Sequence, residues 1–124
     1  MEPHFTLVAT TLDAPDARTL ASFYEDLLGW ERVTDTGRYI GLRAPSGARL
    51  AFQTEPNYVA PVWPSEAGAP LMMSHLEIGV DDLEAGAARA IAAGATLSEH
   101  QPQDHVRVLL DPAGHPFCLF RWSQ

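Results

Sequence analysis

Asp-Pro-Ala-Gly-His-Pro-Phe-Cys, residues 111–118, is the stretch that decides the fold, because part of it has a counterpart earlier in the chain. Pro112 and Gly114 repeat the spacing of Pro45 and Gly47, 67 residues before them. Asp82 and Gly94 likewise repeat Asp16 and Gly29, at offsets of 66 and 65 residues. A period this long that occurs only once is not that of a solenoid. The sequence therefore predicts two similar modules in tandem.

The first half shows the signals of a strand, a helix and three strands. Residues 5–12 are rich in β-formers, and Asp13, Pro15 and Asp16 then give helix-start signals. Gly29 suits the end of the helix. The helix has an apolar stripe at helical spacing, formed by Leu20, Phe23, Tyr24, Leu27 and Leu28. Short strands are predicted over 30–33, 38–43 and 48–54, with turn residues between them.

The second half repeats this order. Residues 71–80 are predicted to form a strand, and Asp81 with Glu84 resembles a capping pair for a helix over 82–93. Strands are predicted near 95–98, 105–110 and 116–121. The helix has its own apolar stripe, formed by Leu83, Ala87, Ala90 and Ile91. Each half is therefore predicted to be a β-α-β-β-β module, module one over 4–54 and module two over 71–122.

Residues 55–70 join the two modules. This segment carries four prolines together with Tyr58 and Trp63. It is long for a connection, and long loops are either linkers or functional lids. Both interpretations stay open at this point.

Composition limits the possible partners. The 124 residues are 46% hydrophobic and 19% charged, as in a globular protein of one domain. The net charge is −8, and all eight cations are arginine, so nucleic acid and anionic membrane surfaces are poor partners. No apolar run approaches the roughly 20 residues of a membrane helix. A single cysteine excludes an internal disulfide, and a cytoplasmic location is expected.

These features together resemble the vicinal oxygen chelate superfamily, and the chain is similar to its short glyoxalase-like domain proteins. The resemblance rests on the two modules, the helix ending at Leu-Gly-Trp (28–30) and the 111–118 stretch, and it spans 5–122. It implies an α+β fold in which an incompletely closed, eight-stranded mixed sheet surrounds a cavity, with the helices on the convex side. It also implies a homodimer.

The superfamily does not have one function. It includes glyoxalases, epimerases, extradiol dioxygenases, thiol transferases that open fosfomycin, and metal-free proteins that sequester antibiotics. A fold shared by so many activities does not choose between them. The individual side chains must carry that argument.

Metal-dependent members place ligands at four positions, which the resemblance assigns to Ala9, His75, Ala51 and Cys118. Alanine cannot ligate a metal. A lone His with a lone Cys is a poor divalent site, since catalytic zinc normally takes three protein ligands and structural zinc four. We therefore expect no metal and no cofactor.

Strand alternation predicts which side chains face the cavity. His75, Met73 and Glu77 should point inward on one strand, and Cys118 and Phe120 on the last. His105 and Arg107 should also point inward, while Val106, Val108 and Leu110 face the core. From module one, Arg49 and Gln53 should face the cavity. Trp63 could stack on a planar ligand.

His75 and Glu77 are the candidate catalytic residues. Imidazole is a general acid or base near neutral pH, although His75 could equally be a core histidine or a hydrogen-bonding partner of a ligand. Glu77 needs a partner if it is buried, and Arg107 is the natural one; this pair would be structural or would anchor a ligand. Cys118 is interpreted as a small core residue rather than a nucleophile.

The sequence thus favours a metal-independent protein that binds a small apolar or aromatic molecule between its modules or between the subunits of a dimer. The antibiotic-binding relatives suggest sequestration as its role. The alternative is a metal-free lyase, isomerase or cyclase that uses His75 and Glu77 as acid and base. A weaker alternative is the metal-dependent chemistry of glyoxalases or dioxygenases.

Overall fold

The computed structural model describes residues 2–122, and contacts divide the chain after Pro56 into two compact units. The first contains β1 (Thr10–Ala14), α1 (Ala17–Leu28), β2 (Glu31–Asp35), β3 (Tyr39–Arg43) and β4 (Arg49–Thr54). The second contains β5 (Leu76–Val80), α2 (Leu83–Ala93), β6 (Thr96–Leu97), β7 (Val106–Leu110) and β8 (Pro116–Arg121). The order β-α-β-β-β in each confirms the predicted pair of modules.

Each unit has an open, four-stranded mixed sheet. The strand orders are β1-β4-β3-β2 and β5-β8-β7-β6, so the two sheets are built alike. In each sheet the first strand runs parallel to the last strand, and the remaining pairs are antiparallel. The α+β class is confirmed. That the eight strands surround one cavity stays a prediction.

The helices cover one face of each sheet. In the first unit, the rings of Tyr24 on α1 and Phe52 on β4 stack at 5.5 Å, and both are fully buried. In the second unit, α2 packs on β7 and β8 and buries Ala87 and Ala90. Burial of each large apolar side chain contributes about 1.5–3 kcal/mol. No helix within 2–122 is long and apolar enough to cross a bilayer.

Both helices begin and end near the predicted positions. Gly29 ends α1 in the left-handed conformation, at φ 69°, and its N–H donates to the Glu25 carbonyl at 2.9 Å. At α2 the cap differs from the prediction, because Asp82 rather than Asp81 is the N-cap residue. The Asp82 carboxylate accepts a hydrogen bond from the Ala85 N–H at 3.0 Å.

Two predicted strands are longer than the observed ones. β1 begins at Thr10 instead of residue 5, because its pairing with β4 begins at Thr10 opposite Leu50 and β4 itself begins at Arg49. Phe5 precedes the paired region and is 93% exposed. In the same way β5 begins at Leu76 instead of residue 71, since its partner on β8 is Phe117. Local β-propensity does not extend a strand beyond the residues that can pair with it.

Most of the segment predicted to join the modules belongs to the second unit, which begins at Asn57. The Tyr58 hydroxyl donates to the Ala113 carbonyl at 2.8 Å. That carbonyl lies in a turn organised by the buried Asp111, whose carboxylate accepts hydrogen bonds from the N–H groups of Ala113 and His115 at 3.0 and 2.9 Å. The 111–118 stretch therefore anchors this segment as well as shaping its own turn.

Candidate functional site

The second unit contains a cavity of about 490 Å³ on the face of its sheet. Strands β5, β7 and β8 form its floor, and two loops add to its walls. The lining is mainly apolar and aromatic, with a few polar side chains: Trp63, Met72, His75, Glu77, Pro102, Gln103, His105, Val106, Val108, Cys118 and Phe120.

The strand register explains why these side chains converge. Cys118 lies opposite Glu77 on one side and Val108 on the other, and Val106 lies opposite Phe120. Since side chains alternate along a strand, paired residues share a face. The neighbouring residues on the opposite face, such as Phe117 and Leu119, are fully buried. Cys118 is thus at the centre of the cavity floor.

A tight turn before β5 changes which methionine faces the cavity. Met73 has φ 49°, and the Ser74 N–H donates to the Met72 carbonyl, as in a three-residue turn. The turn interrupts the alternation that extended backbone would have continued from His75. Met72 therefore lines the cavity, whereas Met73 is 92% exposed. The predicted inward orientation of Met73 is wrong for this reason.

The predicted faces of β7 are also reversed. Val106 and Val108 line the cavity, while Leu109 is fully buried on the other side. The Arg107 guanidinium donates to Glu84, at the start of α2, at 2.8 Å. The predicted Glu77–Arg107 pair is therefore absent, because the two residues occupy opposite faces of the sheet. Of the two residues predicted here to point inward, His105 lines the cavity and Arg107 does not.

The partner of Glu77 is His75 instead. The His75 Nε2 and Glu77 Oε1 atoms lie 3.5 Å apart, with side chains that are 31% and 66% exposed. His75 directly precedes β5 and Glu77 lies on it, two positions later, so both side chains are on the cavity face. An imidazole and a carboxylate in this arrangement can bind a polar ligand group or exchange a proton with it.

The Cys118 thiol is a poor nucleophile in this setting. Burial raises its pKa above the usual value of a cysteine, and the negative charge of Glu77 raises it further. Because the thiolate is the reactive form, a raised pKa reduces reactivity at neutral pH. Cys118 therefore lies on the cavity floor as a weakly reactive thiol.

One end of the cavity face carries two further aromatic side chains. Phe120 and Trp122 meet edge to face, with ring centroids 5.8 Å apart. Trp122 lies across Gly79, where an added Cβ atom would come within 2.4 Å of the Trp122 Cβ. Gly79 therefore makes room for this close approach. No local signal in the sequence indicates this contact.

Gln101 holds the loop that forms one cavity wall. Its amide nitrogen donates to the carbonyls of Ser98 and Val108 at 2.8 and 2.9 Å, and its amide oxygen accepts from the Val108 N–H at 2.9 Å. These bonds tie the loop to β7 and so position Pro102 and Gln103. The sequence analysis missed both wall residues because nothing in their spacing links them to a strand face.

Trp63 lies in the segment that precedes β5 and lines the same cavity. That it stacks on a ligand stays a prediction. Its ring lies 5.6 Å from that of His100, tilted by 57°. Its Nε1 atom is buried and has no hydrogen-bond partner among residues 2–122.

The two predicted site residues of module one belong to the first unit. The Gln53 amide donates to the Asp13 carboxylate at 2.8 Å. Arg49 lines a separate cavity of about 200 Å³ with residues 7–10, 47 and 48. Their participation in ligand binding stays a prediction.

The donors present do not fit the metal site of the superfamily. Ala51 is 1% exposed and has only a methyl group, and Ala9 likewise offers no donor atom. Within residues 2–122, no group of three or more His, Cys, Asp or Glu side chains could hold a metal ion. A divalent ion needs more imidazole, thiolate or carboxylate ligands than this arrangement supplies.

Comparisons with known structures show the same fold. A glyoxalase/bleomycin resistance protein/dioxygenase family enzyme from Burkholderia phytofirmans is 18% identical, with a TM-score of 0.68 over 92% of this chain and 96% of that one. A glyoxalase family protein from Enterococcus faecalis is 20% identical, with a TM-score of 0.68 over 94% and 97%. A lactoylglutathione lyase from Agrobacterium tumefaciens is 16% identical, with a TM-score of 0.60 over 97% and 96%.

At such identities these structures establish the fold and not the activity. No curated protein matches the sequence significantly. A family model described as "Glyoxalase-like domain" matches residues 9–120, which include most of both modules and every residue that lines the cavity. The chain therefore belongs to the glyoxalase-like domain family.

Proposed function

We propose that this protein binds a small, mainly apolar or aromatic molecule in the cavity of its second unit without a metal ion, and that its role is sequestration. The observation that carries the proposal is the lining of that cavity. Trp63, Phe120 and the two valines of β7 offer apolar contact, and His75 and Glu77 offer a small polar group. Ligand sites are typically apolar pockets of 300–1,000 Å³ with a few convergent polar groups.

A thermal-shift screen of planar aromatic compounds, run with and without Mn²⁺, Ni²⁺ or Zn²⁺, tests the proposal. A ligand at 100 times its Kd should stabilise the protein by about 2.7 kcal/mol, and metal should not be needed. Val106→Trp, which fills the cavity, should abolish the shift. Ala92→Trp, at an exposed position on α2, should leave it unchanged. A shift that requires metal, or that survives in Val106→Trp, would contradict the proposal.

A metal-free lyase, isomerase or cyclase is the second candidate, and the 3.5 Å contact between His75 and Glu77 favours it. Mass spectrometry of each compound recovered after incubation separates the two candidates. Unchanged compound supports binding alone. A product that disappears in His75→Ala, while affinity changes only a few-fold, supports an acid–base enzyme. The predicted homodimer and cytoplasmic location remain proposals from the resemblance and composition.

A further inference from the structure

We propose that the ligand of this cavity is an organic cation, an apolar or aromatic body bearing a protonated amine that the Glu77 carboxylate binds. This inference rests on the proposed function and specifies the chemical class of its ligand. It follows from the charges in the second unit, from the position of Glu77 and from the aromatic side chains beside it.

The lining of the cavity carries one formal charge. With histidine counted as neutral, Glu77 is the only charged side chain among the described residues that line the cavity. The second unit has three arginines and no lysine. Arg107 is held by Glu84 at the start of α2, while Arg89 and Arg121 lie on exposed positions of α2 and β8 and do not line the cavity. An anionic ligand would thus meet a carboxylate and no compensating cation of this unit.

The Glu77 carboxylate that carries this charge can be reached by a ligand. The 3.5 Å contact with His75 Nε2 is made by the Oε1 atom of Glu77, and a carboxylate has roughly four acceptor positions. The Glu77 side chain remains 66% exposed, so its oxygens are accessible to a ligand. The charge also acts on the cavity floor, because it contributes to the raised pKa of the Cys118 thiol beside it. A protonated amine here would form charge-assisted hydrogen bonds.

Aromatic side chains line the cavity together with this carboxylate. Trp63 and Phe120 line the same cavity as Glu77, and Trp122 packs edge to face on Phe120. Cations are attracted to the faces of such rings, most strongly to that of tryptophan. The rings also pack against a flat apolar body. One ligand class satisfies both halves of the lining: an aromatic or aliphatic skeleton with a cationic amine.

Three probes of the same shape and different charge test the inference. They are 9-(aminomethyl)anthracene, which is cationic, 9-anthracenemethanol, which is neutral, and anthracene-9-carboxylate, which is anionic. Their intrinsic fluorescence allows titration with the full-length protein at pH 7. We expect the amine to bind about tenfold more tightly than the alcohol, and the carboxylate to bind most weakly, since a hydrogen bond to a charged group has about this effect.

Substitutions identify the side chain that causes the preference for the amine. Glu77→Gln should abolish the preference for the amine, so that the amine and the alcohol bind with similar affinity. Glu84→Gln removes the same formal charge from the helix side and should keep the preference. Circular dichroism checks that each variant folds. Val106→Trp, which fills the cavity, should abolish binding of all three probes.

The outcomes separate the inference from the proposed function. Equal binding of the three probes, tightest binding of the carboxylate, or an amine preference that survives in Glu77→Gln would overturn the cationic ligand and leave the binding function standing. If none of the probes binds, or if they bind Val106→Trp as well as the native protein, the proposed function fails and the inference fails with it.

Discussion

Cys118 reports on the environment of the cavity because it is the only cysteine of the chain and lies beside Glu77. Burial and the Glu77 charge both raise its pKa. The sign follows from the thiolate, which is disfavoured in an apolar site and repelled by a neighbouring carboxylate. At the scale of single residues, the cavity floor therefore disfavours the thiolate form of Cys118.

We predict that alkylation of Cys118 by iodoacetamide has a pH midpoint above that of an ordinary cysteine. Glu77→Gln should lower the midpoint, because a neutral amide does not repel the thiolate. Mass spectrometry of the single adduct over a pH series gives the midpoint, which is independent of how easily the reagent reaches the thiol. Glu84→Gln should leave it unchanged. An identical midpoint in Glu77→Gln and the native protein would refute this account of the Cys118 pKa.

Gly79 allows β5 to lie close to Trp122, the residue that follows β8. The Trp122 N–H donates to the Val80 carbonyl at 2.8 Å, which extends the parallel pairing beyond β8. An alanine Cβ at position 79 would lie 2.4 Å from the Trp122 Cβ and 2.8 Å from its Cγ. These atoms are next to the backbone, so rotation of the indole alone does not relieve the clash.

We predict that Gly79→Ala lowers the free energy of unfolding by about 1–3 kcal/mol, the usual cost of an overpacked contact. Urea unfolding of a double-mutant cycle measures the coupling. In a Trp122→Ala background, Gly79→Ala should cost much less, because the clashing side chain is gone. If the two substitutions are additive, the clash is not the cause.

At the scale of elements, sequence periodicity predicted where the helices and strands lie better than it predicted which strand face lines the cavity. Gly29 and Gly94 end their helices as the sequence analysis expected. The faces of β7 could not be predicted, because this strand is apolar on both sides. Leu109 faces the core, Val108 lines the cavity, and the long Arg107 side chain extends along the core side to reach Glu84 at the surface.

The turn at Met73 likewise made it impossible to predict which side chains before β5 face the cavity. A predicted strand over 71–80 implies unbroken alternation, whereas one left-handed residue displaces every position that precedes it. Methionine gives no signal for a positive φ angle, unlike glycine or asparagine. Strand alternation from Leu76 to Val80 was reliable because these residues pair with β8 in continuous register.

At the scale of the whole molecule, the net charge of −8 should steer a cationic ligand toward the protein. We predict that the association rate of 9-(aminomethyl)anthracene falls as NaCl rises from 10 mM to 0.5 M, because salt screens long-range attraction. The rate for 9-anthracenemethanol should change little. Stopped-flow fluorescence measures both. The same salt dependence for the two probes would mean that charge does not guide association.

The duplication determined the architecture from the sequence alone. Each module carries its own helix caps, turns and apolar stripe, and these are local features that depend on residues a few positions apart. The sequence also determined that Ala9 and Ala51 cannot serve as metal ligands, since side-chain chemistry does not depend on the fold. The tertiary structure decided which face of the second sheet forms a cavity and which loop residues enclose it. Trp63, Gln103 and Phe120 meet there through contacts between segments far apart in the chain, and no local pattern encodes such contacts.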